Sequence, residues 1–303
     1  MIARRQMLII AAGFAALAAA GPAGSQENAP AKLKVLATFS ILGDLVRNVG
    51  GDRVEVAILV GPNSDAHVYA PAPADAKKVA DAKVVLTNGL GYEGWMARLL
   101  KASGTKAPVA VATKGVKERK AQDSHGHSGA DPHAWQSVAN VKVYVANIRD
   151  ALIAADPAGK STYEANAAAY LAKLDALDQE VRAAVSAIPV DRRKIITSHD
   201  AFGYFQQAYG VTFIAPQGVS TEAEPSARDV ARIITQVKMQ KIPAVFLENV
   251  TDPRLMERIA QETGARVGGK LYSDALTDDK GDAPNYIELM RHNVKQLAAA
   301  LVM

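Results

Sequence analysis

The chain contains no cysteine. Without a thiol there is no disulfide framework, no thiolate metal site and no cysteine behind a leader to carry a lipid. Any metal would have to be held by His, Asp, Glu or water. Long apolar runs are scarce as well: the one conspicuous run, residues 7–20, is too short and too rich in alanine for a membrane span. Charge of a single sign is also absent. There are 35 basic and 31 acidic residues, a formal net charge of +4, with the two signs mixed along the chain. A sequence pI near 9.1 therefore describes solubility and not a nucleic-acid footprint, so no nucleic-acid partner is expected. Two signatures give no support either. No G-x-G-x-x-G follows the first strand-like segment, which leaves a dinucleotide site without support. No H-E-x-x-H occurs, which removes a common zinc-hydrolase arrangement.

What is present begins with a leader. Arg4 and Arg5 precede the apolar run and small residues follow it to Ser25, so residues 1–25 read as an export signal. Losing them removes Arg4 and Arg5 and no acidic residue, which leaves 33 basic against 31 acidic side chains, or +2. An exported chain without cysteine is expected to be periplasmic, free of lipid and monomeric. At 303 residues and 49% hydrophobic composition it can bury a large core and form two domains.

From residue 31 onward, short β-branched runs alternate with helical patterns. Strands are expected at 34–40, 53–60, 84–88 and 109–113, with helices at 41–49, 72–82 and 91–103 between and after them. This alternation implies βαβ units and a parallel sheet. Residues 117–129 are polar and without period, and read as a loop. A helix over 138–155 follows. After Asp156-Pro157 a second, much longer helix is expected over 158–188, with Tyr163, Ala167, Tyr170, Leu174, Leu177 and Val181 at helical spacing. Its simplest use is a rigid strut between two lobes, 26–157 and 189–303. The second lobe repeats the first lobe's logic, with strands at 193–197, 211–215, 244–248 and 266–271. The expected class is therefore α/β, with two Rossmann-like (β/α) lobes joined by one long helix.

The chemistry of the chain gathers on histidine. Three of the six histidines, His125, His127 and His133, lie within residues 124–135 beside turn-forming Gly, Ser, Asp and Pro. His67 and His199 each follow an expected strand, where open α/β sheets place ligands. Neutral imidazole suits zinc, copper, iron and nickel. With Asp274, the residues His67, His133 and His199 could form a site between the lobes, two ligands from each. Three imidazoles and one carboxylate suit four-coordinate zinc. Spacing alone does not establish the set, because the ligands lie more than sixty residues apart.

The local sequences around these residues carry a resemblance. Asp65-Ala66-His67-Val68-Tyr69-Ala70-Pro71, the run 87–95, Asp131-Pro132-His133-Ala134-Trp135, the run 198–205, the run 218–226 and Tyr272-Ser273-Asp274-Ala275-Leu276 occur in order. Together they resemble the zinc- and manganese-binding solute-binding proteins of ATP-driven (ABC) importers, the ZnuA- and TroA-like cluster A-I group, nearest to its AztC-type zinc binders. The resemblance covers essentially everything after the signal. It implies ligands at His67, His133, His199 and Asp274, Zn2+ as the transported ion, a membrane permease as partner, a periplasmic metallochaperone as a further partner, and no catalysis. His125 and His127 would be auxiliary capture residues. Manganese binders of the group carry Glu at the third ligand position, where this chain has His199. The alternatives are a manganese-specific binder and a zinc metallochaperone.

The first motif departs from the usual Asp-Pro-His-x-Tyr-Glu-Pro, since Ala66 and Ala70 stand where Pro and Glu are typical. This implies a less rigid His67 loop. Four protein donors leave no open position for the water of a zinc hydrolase. Asp200 reads either as an acceptor for an imidazole or as a helix cap. Tyr92 and Trp95 read as packing residues, His292 as a surface residue, and Glu222 and Glu224 as part of a solvated loop.

Overall fold

The computed structural model describes residues 31–121 and 129–302. The expected export signal and the loop histidines His125 and His127 lie outside the described residues.

Residues 33–39 are almost uniformly apolar, and the strand they form, β1 (Leu33–Phe39), is buried on both faces along most of its length. A strand covered by helices on both sides of a parallel sheet needs that composition. β1 pairs in parallel with β2 (Val54–Val60) and β3 (Val84–Thr87), and β4 (Val109–Val111) follows, giving the order β2-β1-β3-β4. The crossovers are α1 (Ser40–Gly50), α2 (Pro73–Asp81) and α3 (Met96–Ser103). Then come α4 (Val138–Ala155) and the 27-residue α5 (Lys160–Ser186).

The second half winds the same way. Strands β5 (Lys194–Ile196), β6 (Thr212–Ile214), β7 (Ala244–Glu248) and β8 (Arg266–Leu271) are parallel, in the order β6-β5-β7-β8. Their helices are α6 (Gly203–Tyr209), α7 (Ala227–Gln240) and α8 (Arg254–Thr263), and α9 (Tyr286–Leu301) follows β8. Two parallel-sheet α/β lobes and a long helix are thus present, as the sequence leads one to expect. No helix among the described residues is long and apolar enough to cross a membrane.

α5 extends about 40 Å at 1.5 Å per residue. Tyr163, Ala167, Tyr170, Leu174, Leu177, Val181 and Val185, three or four residues apart, form its buried stripe. It packs on α1 and α4 of the first half and on α6 and α9 of the second. One continuous core runs from Leu36 and Leu45 through Tyr144 and Leu174 to Phe246 and Leu289, so the two halves share apolar packing. A smaller core, with Ile233, Val245 and Ile259, fills one side of the second sheet.

Two helix starts differ from expectation for identifiable reasons. α3 begins at Met96, because Gly89, Leu90 and Gly91 hold φ values of 89°, 55° and 80°, which a right-handed helix cannot contain. A Cβ on Gly89 would meet Val111 Cγ1 at 2.5 Å, so this turn requires glycine. α5 is preceded by a 3-10 turn at Pro157–Gly159, where Asp156 Oδ2 accepts from Arg53 and from the Tyr163 hydroxyl.

Candidate metal centre

His67 lies in the loop leaving β2, and His133 precedes a 3-10 turn, Ala134–Gln136, that leads into α4. His199 follows β5 and Asp274 follows β8. Four loops remote in sequence bring these side chains together: one ligand atom from each lies within 4.8 Å of all the others. His67 Nε2 stands 3.2 Å from His133 Nε2 and 3.4 Å from Asp274 Oδ2. His199 Nε2 is 3.2 Å from Asp274 Oδ2, and His133 Nε2 is 3.5 Å from Asp274 Oδ1. Exposure is 8% for His67, 1% for Asp274 and 0% for His133 and His199. Both Asp274 oxygens and His199 Nε2 lack a hydrogen-bond partner. Burial of unsatisfied donors and acceptors is costly, and a shared cation would satisfy them together.

Each imidazole is aimed by groups behind it. His133 Nδ1 lies 2.8 Å from Asp131 Oδ1, which also accepts the His133 backbone N–H. Arg119 donates to Asp131 Oδ2 at 2.7 Å. The Arg119 side chain lies against Gly203, where a Cβ would come within 2.1 Å of its Cζ, so a glycine opens the room this arginine occupies. His199 Nδ1 faces Glu248 Oε2 at 2.5 Å, while Glu248 Oε1 accepts the backbone N–H groups of Ser198 and His199. Such carboxylate–imidazole pairs set ring orientation and leave Nε2 as the free donor.

The His67 loop is tied at three points despite Ala66 and Ala70. Asp65 Oδ1 accepts the His67 N–H at 2.8 Å, Trp95 Nε1 donates to the Ala66 carbonyl at 2.8 Å, and the Tyr69 hydroxyl donates to Asp75. Trp95 therefore holds the loop backbone, and the Tyr92 ring stands edge-on to His67 at 4.8 Å.

Asp274 sits in a segment held from the other half of the chain. Trp135 Nε1 and Gln136 Nε2 donate to the Ser273 carbonyl at 2.8 and 2.7 Å. The Leu276 N–H donates to Ser40 Oγ, and the Leu276 carbonyl accepts from the Asn63 N–H. Asn249 and Asn293 hold the same segment from the second half, so Asp274 is fixed from both sides. Asp200 has neither role expected of it. Both ring nitrogens of His199 face other carboxylates, and α6 starts at Gly203 with Phe202 before it. Glu248 and Arg119 were not found from sequence. A glutamate closing the apolar run Ala-Val-Phe-Leu was the one available signal for Glu248. His292 bonds the Lys270 carbonyl, away from the cluster.

Electrostatics reinforces the arrangement. Burial by itself raises the Asp274 carboxyl, yet the charges of His199 and His133 and its close contacts with His199 and His67 hold it well below the usual carboxylate range. Burial lowers His199, but Glu248 and Asp274 prevail and push it well above an ordinary imidazole. For His67, burial is the largest influence and the net direction is downward. Asp131 is buried, which raises it, but His133 and Arg119 bring it below its ordinary value.

Fold and site together define a class: a two-lobed parallel α/β binding protein with three imidazoles and a carboxylate converging between its sheets. A family profile described as zinc-uptake complex component A, periplasmic, matches residues 35–300, and the chain belongs to that family. It is 35% identical over 284 residues to the iron-binding protein YfeA of Yersinia pestis, covering 94% of this chain and 90% of that one. It is 34% identical over 295 residues to the manganese-binding lipoprotein MntA of Halalkalibacterium halodurans, covering 97% of each. The periplasmic zinc-binding protein TroA of Treponema pallidum superposes with a TM-score of 0.84 at 29% identity, over 90% of this chain and all of that one.

These relatives correct one expectation. MntA and several streptococcal relatives are named lipoproteins, so an unlipidated periplasmic protein is not what the kinship indicates. The sequence still holds no cysteine, the residue a thioether-linked lipid requires.

Proposed function

We propose that the protein is the solute-binding component of an ATP-driven importer and that it carries one Zn2+ on His67, His133, His199 and Asp274 to a membrane permease. Three imidazoles and one carboxylate, buried and mutually within ligand-to-ligand range, are the observation that carries this reading. Zinc bonds of 2.0–2.1 Å in a tetrahedron put neighbouring donors about 3.3 Å apart. The contacts of 3.2 to 3.5 Å within the cluster fit that spacing. In this reading residues 26–157 and 189–303 are the two lobes, 158–188 joins them, and His125 and His127 assist capture. Four protein donors favour carriage over catalysis, because a catalytic zinc keeps a position for water.

Manganese or iron is the competing cargo, supported by the names of YfeA and MntA. Nitrogen donors argue the other way, since Mn2+ lies at the weak end of the first-row series and prefers oxygen. Metal analysis of the purified protein, followed by competition titrations, decides between them. Zinc is expected to bind much more tightly than manganese, and His199→Glu to narrow the gap by at least about tenfold. Manganese bound as tightly as zinc by the unaltered protein would defeat the zinc assignment.

A further inference from the structure

Among the four residues of the cluster, His67 alone retains measurable contact with solvent beyond a trace. The other flanks are walled. The Tyr92 and Trp135 rings stand 4.8 Å from His67 and 5.3 Å from His133, and the Asp131–Arg119 and Glu248 pairs close the backs of His133 and His199. On the His67 flank lies a cavity of about 630 Å³. Its lining includes Asp65 and Val68, on either side of His67 in sequence, and Ser198, next to His199; Thr221 and Thr251 also line it. Asp65, Glu224 and Asp252 bring carboxylates to this lining, beside Arg254 and Arg258. One hydrogen bond spans the two sides. Thr221 Oγ1 donates to Asp65 Oδ2 at 2.5 Å, and the other Asp65 oxygen accepts the His67 backbone N–H. The carboxylate that fixes the His67 loop is therefore the one that ties it to the loop following β6.

We propose that this cavity is the passage by which the ion reaches and leaves its four ligands, and that the Thr221–Asp65 hydrogen bond is the latch that holds it shut. The inference rests on the metal-carrying function proposed above. When Thr221 releases Asp65, the His67 loop loses one of its ties to the second half, the Asn63–Leu276 bond remaining as a pivot, and the gap between His67 and His199 widens toward the cavity. No other ligand needs to move for the ion to start leaving. Thr221 touches no ion in this scheme and is a positioning residue.

Rates and affinity separate the two parts of the proposal. Wild type, Thr221→Val, Thr221→Ser and Thr251→Phe are first shown by metal analysis to bind one ion each. If the wild type binds none, the carrier function fails and the latch is not at issue. Stopped-flow loading with zinc alone and release into a chelator then give both rate constants. A hydrogen bond to a carboxylate contributes enough that losing it in Thr221→Val is expected to speed release roughly tenfold with loading little changed. Thr221→Ser keeps the hydroxyl and is expected to release at close to the wild-type rate. Thr251→Phe, which narrows the passage without touching a ligand, is expected to slow loading and release by the same factor and leave the dissociation constant unaltered. Wild-type release from Thr221→Val overturns the latch, and unchanged rates in Thr251→Phe overturn the passage.

Discussion

Glu248 does at His199 what Asp131 does at His133, and both act through charge. Burial lowers His199, but Glu248 and Asp274 hold it well above an ordinary imidazole, so in the metal-free protein its protonated form is favoured. Its stabilising pairing is fully present below the ordinary imidazole value and is lost as pH rises through the raised one. Asp274 runs the other way: held low, it contributes above the usual carboxylate value and loses that contribution as pH falls through the depressed one. A cation binding at Nε2 competes with the His199 proton. Glu248→Gln keeps the shape of the contact and removes its charge. It is expected to weaken metal binding by roughly 10- to 100-fold. It should also lower the number of protons released, read by titration calorimetry in two buffers of different ionisation enthalpy. Unchanged affinity and proton release would show that Glu248 is a bystander. None of this was legible from the chain, since a glutamate at the end of a buried strand shows its purpose only once β5 lies beside β7.

Elements with a strong period were read well and tight turns were not. The buried stripe of α5 was visible as Tyr163 to Val181 because periodic burial leaves its mark on sequence. Residues 91–95 were misread as the start of a helix, because the apolar and charged residues there fit a helical period and the positive φ of the turn does not show in composition. The joint between α1 and α9 offers a test at this scale. Asp44, on α1, accepts the Tyr286 N–H at the start of α9, and burial pushes its carboxyl up to about 6 against the hydrogen bonds from Tyr286 and Asn48 and the charge of Arg47. A carboxyl raised on folding contributes stability that is fully present below about 3.8 and lost as pH rises through about 6. The shift corresponds to something on the order of 3 kcal/mol between those limits. Asp44→Asn retains an acceptor for Tyr286 and cannot ionise. Thermal melts of the two metal-free proteins should therefore diverge from pH 4 to 7, with wild type losing ground. Parallel curves would contradict this origin.

At the scale of the molecule, the two-lobed class and all four clustered residues were readable from sequence, largely through motifs that resemble a known family. What stayed hidden was the grip of both halves on residues 272–276, because hydrogen bonds between loops have no period. Shared core packing and α5 lying across both halves leave little room for a wide hinge. Small-angle scattering is expected to show nearly the same radius of gyration with and without metal, and a large compaction on loading would contradict it.

Residues 272–276 are gripped from both halves, by Trp135, Gln136, Ser40 and Asn63 on one side and by Asn249 and Asn293 on the other. If the His67 loop opens as proposed above, Asp274 would stay with His133 and His199, and only His67 would depart. The ion would then rest in a three-toothed remnant with one vacant corner. An incoming donor could take that corner before the remaining three let go. Cargo would change hands by successive ligand substitution, and at no stage would it have to pass through a bare, fully hydrated form.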